Sequence, residues 1–561
     1  MSPTAITLAI ILAGIVVVIA GVLVFRLHAF LALIFGAIVV AVLTPTANVR
    51  QNSLRTQQLQ VASQDGQQFV LVLPKDYKVP IDSVCYVFEQ LPDGDNEQPA
   101  GSLVVTDSRK VSFEDGRVQR QVIARKSPGS GDWNFDDPFV VTNTGLAAAN
   151  SLAKQTIGKR IANAFGSTCG KVGILIGMAS IIGICLLESG AADRIVRSAL
   201  NAMGEKSAPF AFIGSGFMLG IPVFFDTVFY LMIPLGKALR MRTGRNYLLY
   251  VLTIIIGGTM AHSLVPPTPG PLFVAEQLGV DLGVMMLGGC VVCVFTSIYG
   301  YIHASLMNRF FELPLRESPD LPLAELEKLT QRDESQLPGL FVSVLPIVLP
   351  VVLIAGNTII GRFSDSFSPG FLKISANLGD KNIALVLSTI IALWILVRQK
   401  GTLKELSPSI QSAIASAGGI ILITAAGGAF GKVLQQTGVA GLINDMPKTS
   451  PAMIVTIAFL ITTAIRTAQG SATVAMITAV GILSGLAASG DLGFDPLYLA
   501  LAIGCGSKPI GWMNDSGFWV MTKMSGMTEG EGLKYITPMA SMMGVVGLLV
   551  VIVGVSVYPT F

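Results

Sequence analysis

Five ionisable residues lie within long apolar stretches of the sequence, where a charged group is costly. They are Asp226, His262, Arg466, Lys508 and Asp515. A charge at the centre of a bilayer costs on the order of 2.5–3.5 kcal/mol on insertion scales, so such a residue usually faces a cavity or a partner. Arginine can bind a carboxylate bidentately, a buried aspartate can exchange a proton, and histidine can relay one or bond a hydroxyl. Together these residue types suit a small organic anion and proton transfer.

Each of these residues also has a structural interpretation that the sequence leaves open. Asp226 could cap the helix that follows it, as aspartates often do. His262 could be a buried contact between helices, and Arg466 could anchor its helix at the membrane edge. Lys508 could form a fixed ion pair with Asp515.

The same residues fall in or near four interruptions of apolar sequence. The interruptions are Gly220–Asp226, Ala261–Gly270, Arg466–Thr473 and Gly504–Gly517, and each mixes glycine or proline with polar side chains. Proline breaks a helix, and broken backbone at membrane depth survives only where it lines a cavity or is buried in protein. Freed helix N-termini favour an anion, and freed carbonyl ends favour a cation. We therefore expect the four segments to converge on one site near the membrane midplane.

The composition indicates a polytopic membrane protein. Of the 561 residues, 52% are apolar and 13% are charged, whereas soluble chains carry about 25% charged residues. The net charge of +3, without a basic tract interleaved with aromatic residues, gives no indication of a nucleic-acid partner. The sequence has no metal-ligand cluster, nucleophile elbow or phosphate loop, so we expect no enzyme, no catalytic residue, no metal and no cofactor.

Apolar runs near twenty residues long predict the membrane spans. Two longer stretches, 208–239 and 452–488, have polar or proline-containing centres and are predicted to be re-entrant hairpins, which enter and leave on the same side. The predicted spans are 5–25, 28–45, 171–192, 247–265, 284–306, 340–360, 382–398, 412–436, 491–510 and 535–558. The expected fold is an all-α polytopic membrane protein with about ten transmembrane helices plus two re-entrant hairpins.

The polar segment 46–155 differs from the rest of the chain. Its short runs QFVLVLP, SVCYVFEQ, GSLVVTD and VQRQVIARK alternate in polarity between Gly, Pro and Asp residues, which predicts a small β-rich domain. The chain is predicted to divide into six parts. They are the first two spans (1–45), this insertion (46–155), a transport region with the first hairpin (156–308), a cytoplasmic loop (309–338), scaffold spans (339–400) and a transport region with the second hairpin (401–561).

The two halves of the chain resemble each other at a shift of 248 residues. At this shift 170–195 aligns without gaps on 418–443, and six of the 26 positions are identical. In each half the aligned segment is followed by a hairpin, a broken span and a final span. Five spans separate the copies, so the copies are expected to have opposite orientations, as in transporters built from inverted repeats.

Lysine and arginine are concentrated in the loops on one side of the predicted membrane. That side includes Arg240, Arg242, Arg309 and Lys523, whereas the short loops of the other side hold few basic residues. The basic side is expected to be cytoplasmic. Both termini and the segment 46–155 are then extracytoplasmic, the first hairpin enters from the cytoplasm, and the second enters from outside.

Seven segments resemble the gluconate permease family, within the ion transporter superfamily. They are FRLHAFLAL (25–33), LLESGAADRI (186–195), GIPVFFDTVFYLMIPL (220–235), HSLVPPTPGP (262–271), AGGAFGKVLQQTGV (426–439), IRTAQGSATVAMITA (465–479) and MNDSGFW (513–519). The resemblance covers nearly everything except 46–155, which has no counterpart in the family. It implies ten spans and two hairpins in inverted repeats. The implied activity is proton-coupled uptake of gluconate or a related sugar acid across a bacterial inner membrane.

The sequence departs from the family pattern at several positions near the interruptions. Thr268 stands where the family usually has a histidine, and Gly511 and Trp512 stand where a Ser-His pair is frequent. Asp226 replaces a common glutamate, and Lys508 is unusual. The acidic residues, the arginine and the QGSATVA segment still indicate binding of a carboxylate.

The predicted site combines carboxylate binding, hydroxyl binding and proton coupling. The expected substrate-binding residues are Arg466, Gln469, Gly470, Ser471, Thr473, His262, Pro267, Thr268, Ser507 and Asn514. Among them Arg466, Ser471, Thr473 and the Ser507 region are expected to hold the carboxylate, whereas Asn514 and His262 would bind hydroxyls. Asp226 and Asp515 are the proton-coupling candidates.

Two other functions remain open from the sequence. Polar hairpin tips could hold Na⁺, so that a carboxylate is carried with sodium instead of a proton. A membrane receptor or assembly protein acting through 46–155 would lose function without that segment and tolerate Arg466→Ala. Analogy with the superfamily favours a homodimer. The other expected partners are the lipid bilayer, a small carboxylate substrate and a proton.

Overall fold

The structure, a computed structural model, describes most of the chain. The described residues are 3–25, 27–65, 67–73, 79–92, 97–112, 118–128, 133, 135, 138–316, 336–401, 406–438, 450–488, 492–513 and 515–560. Asn514 and much of the predicted cytoplasmic loop 309–338 lie outside these ranges.

Helices account for most of the described residues. In chain order they are α1 (Pro3–Leu23), α2 (Ala29–Leu43), α3 (Thr46–Arg55), α4 (Asn143–Lys154), α5 (Ile157–Glu188), α6 (Ala191–Met203), α7 (Ala208–Gly220), α8 (Phe225–Thr243), α9 (Tyr247–Leu264), α10 (Pro269–Leu278), α11 (Leu282–Phe310), α12 (Leu340–Arg362), α13 (Pro369–Leu378), α14 (Lys381–Lys400), α15 (Ser407–Gln435), α16 (Pro451–Gln469), α17 (Ala472–Ala488), α18 (Pro496–Gly506), α19 (Ser516–Ser525) and α20 (Glu529–Val557).

The longer helices have the length and surface of membrane spans. Within the described ranges, eight helical segments are long and apolar enough to cross a membrane, and a ninth is added if α2 and α3, which meet at a bend of 100°, form one span. On α11 the side chains of Val291, Val294, Ile298 and Ile302 recur every three or four residues and are each more than half exposed, a stripe suited to hydrocarbon. The prediction of a polytopic helical membrane protein is confirmed, whereas the count of ten spans remains a prediction.

The segment between α3 and α4 forms one antiparallel sheet. Its strands are β1 (Gln60–Asp65), β2 (Gln68–Val72), β3 (Val84–Phe88), β4 (Gly101–Ser112), β5 (Val118–Lys126) and β6 (Phe139–Thr142), in the spatial order β1-β2-β5-β4-β3-β6. The alternating residues Phe69, Leu71, Val122 and Ala124 are fully buried in its apolar core. The four runs predicted as strands are β2 to β5, so the predicted β-rich character is present.

The helices that flank the sheet attach it to the membrane helices. On α3, the Asn52 Nδ2 donates to the Gln435 carbonyl at 2.5 Å, and the Asn48 Nδ2 donates to the Thr437 carbonyl at 3.4 Å. Both acceptors lie at the C-terminal end of α15, where helix carbonyls lack partners within their own helix. The insertion therefore contacts the second half of the chain directly.

The helix boundaries recur with the shift found in the sequence. Moving α10 by 248 residues gives 517–526, and α19 spans Ser516–Ser525. The same shift moves α11 to 530–558, and α20 spans Glu529–Val557. Each half has a long helix, two helices joined at a tip, a broken pair and a closing helix in the same order. The inverted orientation of the halves remains a prediction.

In each half, a glycine allows one helix of the hairpin, here called its arm, to pack closely against a neighbouring helix. A β-carbon on Gly220 of α7 would lie 3.0 Å from the Gly258 carbonyl oxygen of α9, which is closer than ordinary contact. In the second half, a β-carbon on Gly431 of α15 would lie 3.0 Å from the Gly481 Cα of α17. Small residues allow this approach between membrane helices, so each tip is carried by a tightly packed arm.

Candidate functional site

Four chain interruptions meet at a cavity of about 460 Å³, here called the central cavity. The first tip joins α7 to α8, the second tip joins α16 to α17, the first break separates α9 from α10, and the second break separates α18 from α19. The lining residues include Phe224, Phe225, Asp226, Thr227, His262, Pro269, Arg466, Ser471, Thr473, Ser507, Lys508, Gly511 and Asp515. The structure thus brings the predicted interruptions to one place.

Four helices begin at the central cavity. Their first residues are Phe225 of α8, Pro269 of α10, Ala472 of α17 and Ser516 of α19. No side chain caps α8 or α10, so their first N–H groups remain available to a ligand. Helix N-termini carry partial positive charge, and an anion placed among them is stabilised.

The two breaks contact each other directly. Ser507 Oγ lies 3.2 Å from Ser263 Oγ and donates to the Gly504 carbonyl at 2.7 Å. Ser263 and Ser507 are both fully buried. The contact joins residues 244 positions apart in sequence, so the corresponding segments of the two halves form one wall of the cavity.

Arg466 ties the second tip to the second break. Its Nε donates to the Ser507 carbonyl at 3.1 Å, its Nη1 donates to the Gly470 carbonyl, and its Nη2 forms an ion pair with Asp515. The residue is only 5% exposed, which is not the environment of an interfacial anchor. The guanidinium is therefore held in place by three acceptors from two chain segments.

Asp515 has two functions in this arrangement. Its Oδ1 accepts from the Gly517 N–H at 2.9 Å and so caps α19, while its Oδ2 pairs with Arg466. The alternative in which Asp515 pairs with Lys508 is wrong, because the facing arginine occupies the carboxylate. Lys508 forms no ion pair within the described part of the chain.

Lys508 and Asp226 face the cavity from different halves of the chain. Lys508 is 8% exposed in the second break, and Asp226 lies in the first turn of α8. Asp226 makes no capping hydrogen bond for α8, so the structure gives no support to a capping role. A β-carbon on Gly517 would lie 3.4 Å from both Asp226 Oδ1 and Asp515 Oδ1, so the two carboxylates flank the start of α19.

His262 lies in the last turn of α9 with its ring against Phe224, at a centroid distance of 6.3 Å. Its Nδ1 is buried and has no hydrogen-bond partner among the described residues. Buried polar atoms are rarely left unpaired in folded proteins. The ring lines the central cavity, so the histidine is available to a ligand as well as to its packing neighbours.

The structure separates the predicted substrate-binding residues into three groups. Those that line the central cavity are Arg466, Ser471, Thr473, His262 and Ser507, whereas Gln469, Gly470, Pro267 and Thr268 adjoin the tips and breaks without lining it. Thr268 Oγ1 donates to the Val265 carbonyl at 2.9 Å, which holds the first break in shape. Asn514 lies outside the described residues.

Sequence reasoning missed several hydroxyls in the lining. They include Ser416 on α15, Thr259 on α9 and Thr537 on α20, which lie within helices and outside the four predicted interruptions. Thr537 Oγ1 donates to the Gly511 carbonyl at 2.5 Å and is followed by Pro538 inside α20. That internal proline is a signal that could have pointed to α20.

Comparisons with known proteins agree with this architecture. The Escherichia coli (strain K12) inner membrane permease YgbN is 30% identical, over 72% of this chain and 90% of its own length. A gluconate permease of Pseudomonas aeruginosa is 31% identical, over 72% of this chain and 89% of its own. The crystal structure of the Alcanivorax borkumensis YdaH transporter has a similar fold, with a TM-score of 0.52 at 11% identity over 81% of this chain and 94% of that one.

The family assignment follows from the extent of the match. Residues 138–557 of the 561 match the family described as GntP family permease, and this range contains all four segments that form the central cavity. The aligned relatives are matched over most of their own length. The chain therefore belongs to the GntP permease family.

Proposed function

We propose that this permease is a symporter that imports gluconate or a related sugar acid or hydroxy-carboxylate together with protons. The observation that carries the proposal is the meeting of four helix N-termini with buried Arg466 and Lys508 at one cavity. Its volume of about 460 Å³ falls within the ~300–1,000 Å³ range of small-molecule sites. The relative named as a gluconate permease supports a sugar acid as the substrate class.

Hydroxyl groups surround the cations and suit a polyhydroxylated anion. Ser471 and Thr473 of the second tip and Thr227 and Thr259 of the first half all line the cavity. His262 adds a ring nitrogen that has no partner among the described residues. In the proposed mode the carboxylate lies at the positive groups and the hydroxyls of the acid bond these side chains.

Proton coupling is assigned to the aspartates of the site. Asp226 and Asp515 flank the start of α19, so two groups that can bind a proton lie close together. Asp515 is already engaged by Arg466. In the proposed mechanism Asp226 accepts the transported proton, and Asp515 contributes through its repulsion of a second negative charge.

In the proposed alternating-access cycle, the hairpin of one half closes the site from the cytoplasm and the hairpin of the other half closes it from outside. The tips are carried on tightly packed arms, and the recurring helix order supports inverted repeats of the kind found in secondary transporters. We place the protein in the bacterial inner membrane as a homodimer, with both termini and the 46–155 insertion outside. The relative named as an inner membrane permease supports this location.

Transport by purified protein in liposomes tests the proposal. With gluconate outside, an inward proton gradient at equal Na⁺ should drive accumulation, whereas an inward Na⁺ gradient at equal pH should drive none. Protein-free liposomes and a proton ionophore are the controls. Accumulation driven by Na⁺ alone would refute proton coupling and favour a sodium site at the carbonyl ends that also surround the cavity.

A further inference from the structure

The side chain of Lys508 has an unusual position among the charges of the central cavity. It is 8% exposed and lines the cavity. Its stem is fixed, since a β-carbon on Gly544 of α20 would lie 3.2 Å from the Lys508 Cβ, and its backbone N–H donates to the Cys505 carbonyl at 3.2 Å. The close packing fixes the start of the Lys508 side chain against α20 at the edge of the cavity that the residue lines.

The ammonium of Lys508 forms no hydrogen bond or ion pair with the described residues. Arg466 differs, because its donors already serve two carbonyls and the Asp515 carboxylate. Asp515 acts on the ammonium only at longer range, without a direct contact, and a buried cation that no partner contacts is destabilised unless a ligand compensates it. Of the two cations in the cavity, Lys508 is the one available to an incoming anion.

The charges of the described lining residues form a simple balance. Asp226, Arg466, Lys508 and Asp515 are the only residues of this lining, apart from His262, that can carry a full charge. Arg466 and Asp515 neutralise each other as a buried pair. The cavity is then left with one positive group, Lys508, and one negative group, Asp226, which contribute no net charge.

We propose that Lys508 is the carboxylate anchor of the central cavity and that, with Asp226, it couples one monovalent organic anion to one proton. The assignment rests on the proposed function, because it requires that the cargo be an anion. Arg466 is then a positioning residue that holds the second tip against the second break. The sequence-based assignment of the carboxylate to Arg466 is replaced by Lys508.

The coupling follows from the charge carried through the membrane interior. The empty cavity is neutral, with Lys508 positive and Asp226 negative. A bound carboxylate alone leaves a net charge of −1, and a proton on Asp226 restores neutrality. Because burying uncompensated charge is costly, the neutral empty and doubly loaded states should change orientation more readily than the state with the anion alone.

The groups that face Asp226 are consistent with its role as the proton acceptor. Asp515 lies near it at the start of α19, and His262 of α9, Arg466 and Lys508 line the same cavity. The remaining packed helices contribute little, since α7 has no titratable side chain. Arg197 of α6 lies near Arg242, at the C-terminal end of α8, whereas Asp226 is at the N-terminal end.

Calorimetric titration of purified full-length protein with gluconate tests the anchor. Lys508→Gln should weaken binding about 10-fold to 100-fold, because a charge-assisted contact is lost, whereas Lys508→Arg should stay within about 5-fold of the wild type. Lys523→Gln is the matched control, since it removes a lysine of α19 that is half-exposed and paired with Glu529 at 3.3 Å. Its affinity should equal that of the wild type.

Proton uptake in weakly buffered solution tests the coupling. Wild-type protein should take up one proton for each gluconate bound, as read from a pH-indicator dye. Asp226→Asn should take up none and bind gluconate with an affinity that does not change with pH. Binding by the wild type without proton uptake, or with uptake that persists in Asp226→Asn, would overturn the coupling.

The outcomes separate this inference from the proposed function. Wild-type protein that binds and transports no sugar acid refutes the proposed function and the anchor together. Wild-type binding matched by Lys508→Gln refutes the anchor alone. Lys508→Met, which keeps an unbranched apolar stem against Gly544, replaces Lys508→Gln if gel filtration and circular dichroism show that the glutamine variant is misfolded.

Discussion

Replacing Arg466 by alanine tests whether one buried ion pair holds the second tip to the second break. The substitution removes a hydrogen bond to the Ser507 carbonyl, another to the Gly470 carbonyl and the ion pair with Asp515. The side chains of Arg466 and Asp515 are 7% and 15% exposed. Water can therefore replace little of what is lost.

The contacts allow the magnitude to be worked out. Breaking a buried pair from one side costs about 3–5 kcal/mol, because a charge remains buried without a partner. Each freed carbonyl adds about 1 kcal/mol, so Arg466→Ala should lower the free energy of unfolding by about 5–7 kcal/mol. Arg466→Ala with Asp515→Asn removes the uncompensated charge and should recover about 3 kcal/mol relative to the sum of the single variants.

A double-mutant cycle measures this coupling free energy. The free energy of unfolding is obtained for the wild type, both single variants and the double variant by SDS titration in mixed micelles, followed by circular dichroism. The control cycle uses Arg240 and Glu312, an ion pair of 2.7 Å whose carboxylate is 75% exposed. Exposed pairs contribute at most about 1 kcal/mol, so its coupling free energy should be small.

Additive effects of the two substitutions would contradict a coupled ion pair. If the effects of Arg466→Ala and Asp515→Asn add within about 0.5 kcal/mol, the two residues behave as independent sites. The ion pair would then not join the tip to the break, and Arg466 would be as available to an incoming anion as Lys508.

Three further predictions concern the arms, the sheet and the insertion. Gly220→Val should lower the free energy of unfolding by about 1–3 kcal/mol in the SDS titration, because its side chain would force α7 from α9. A β-carbon on Gly214 of the same helix would meet no atom within 4 Å, so Gly214→Val should have little effect. Burial in the sheet raises the pKa of Cys85 to about 12, so its thiol stays protonated at pH 8, and maleimide should label it only after denaturation. Labelling of folded protein at the rate of a free thiol would contradict this burial. Asn52→Leu should speed hydrogen exchange at the end of α15, where it removes a donor to a helix carbonyl; unchanged exchange would show that α15 ends independently of α3.

The positions of the chain breaks were predictable because proline and glycine act locally. Pro269 begins α10 and the glycine Gly470 ends α16 with a φ of 82°, as their backbone preferences dictate. The repeat at a shift of 248 residues was also informative. The helix boundaries of the two halves match at this shift more closely than their residue identities do. These features depend on the sequence within one element.

Pairings across elements were not predictable in the same way. Asp515 pairs with Arg466, 49 positions away, and not with Lys508, because the second break turns these side chains toward different neighbours. In the sheet, β1 is polar and mostly exposed, and β6 has four consecutive buried residues. Neither strand shows the alternation on which a strand prediction depends.

The attachment of α3 to the end of α15 has a consequence for the evolution of this chain. In the first half, α5 ends locally at Gly190, whose φ is 77°. In the second half, Asn48 and Asn52 supply amide donors to the end of the corresponding helix α15 from outside the matched family range. Selection would tend to retain such a segment, because its loss would remove the Asn52 donor from the part-buried Gln435 carbonyl at the end of α15 whatever else the segment does.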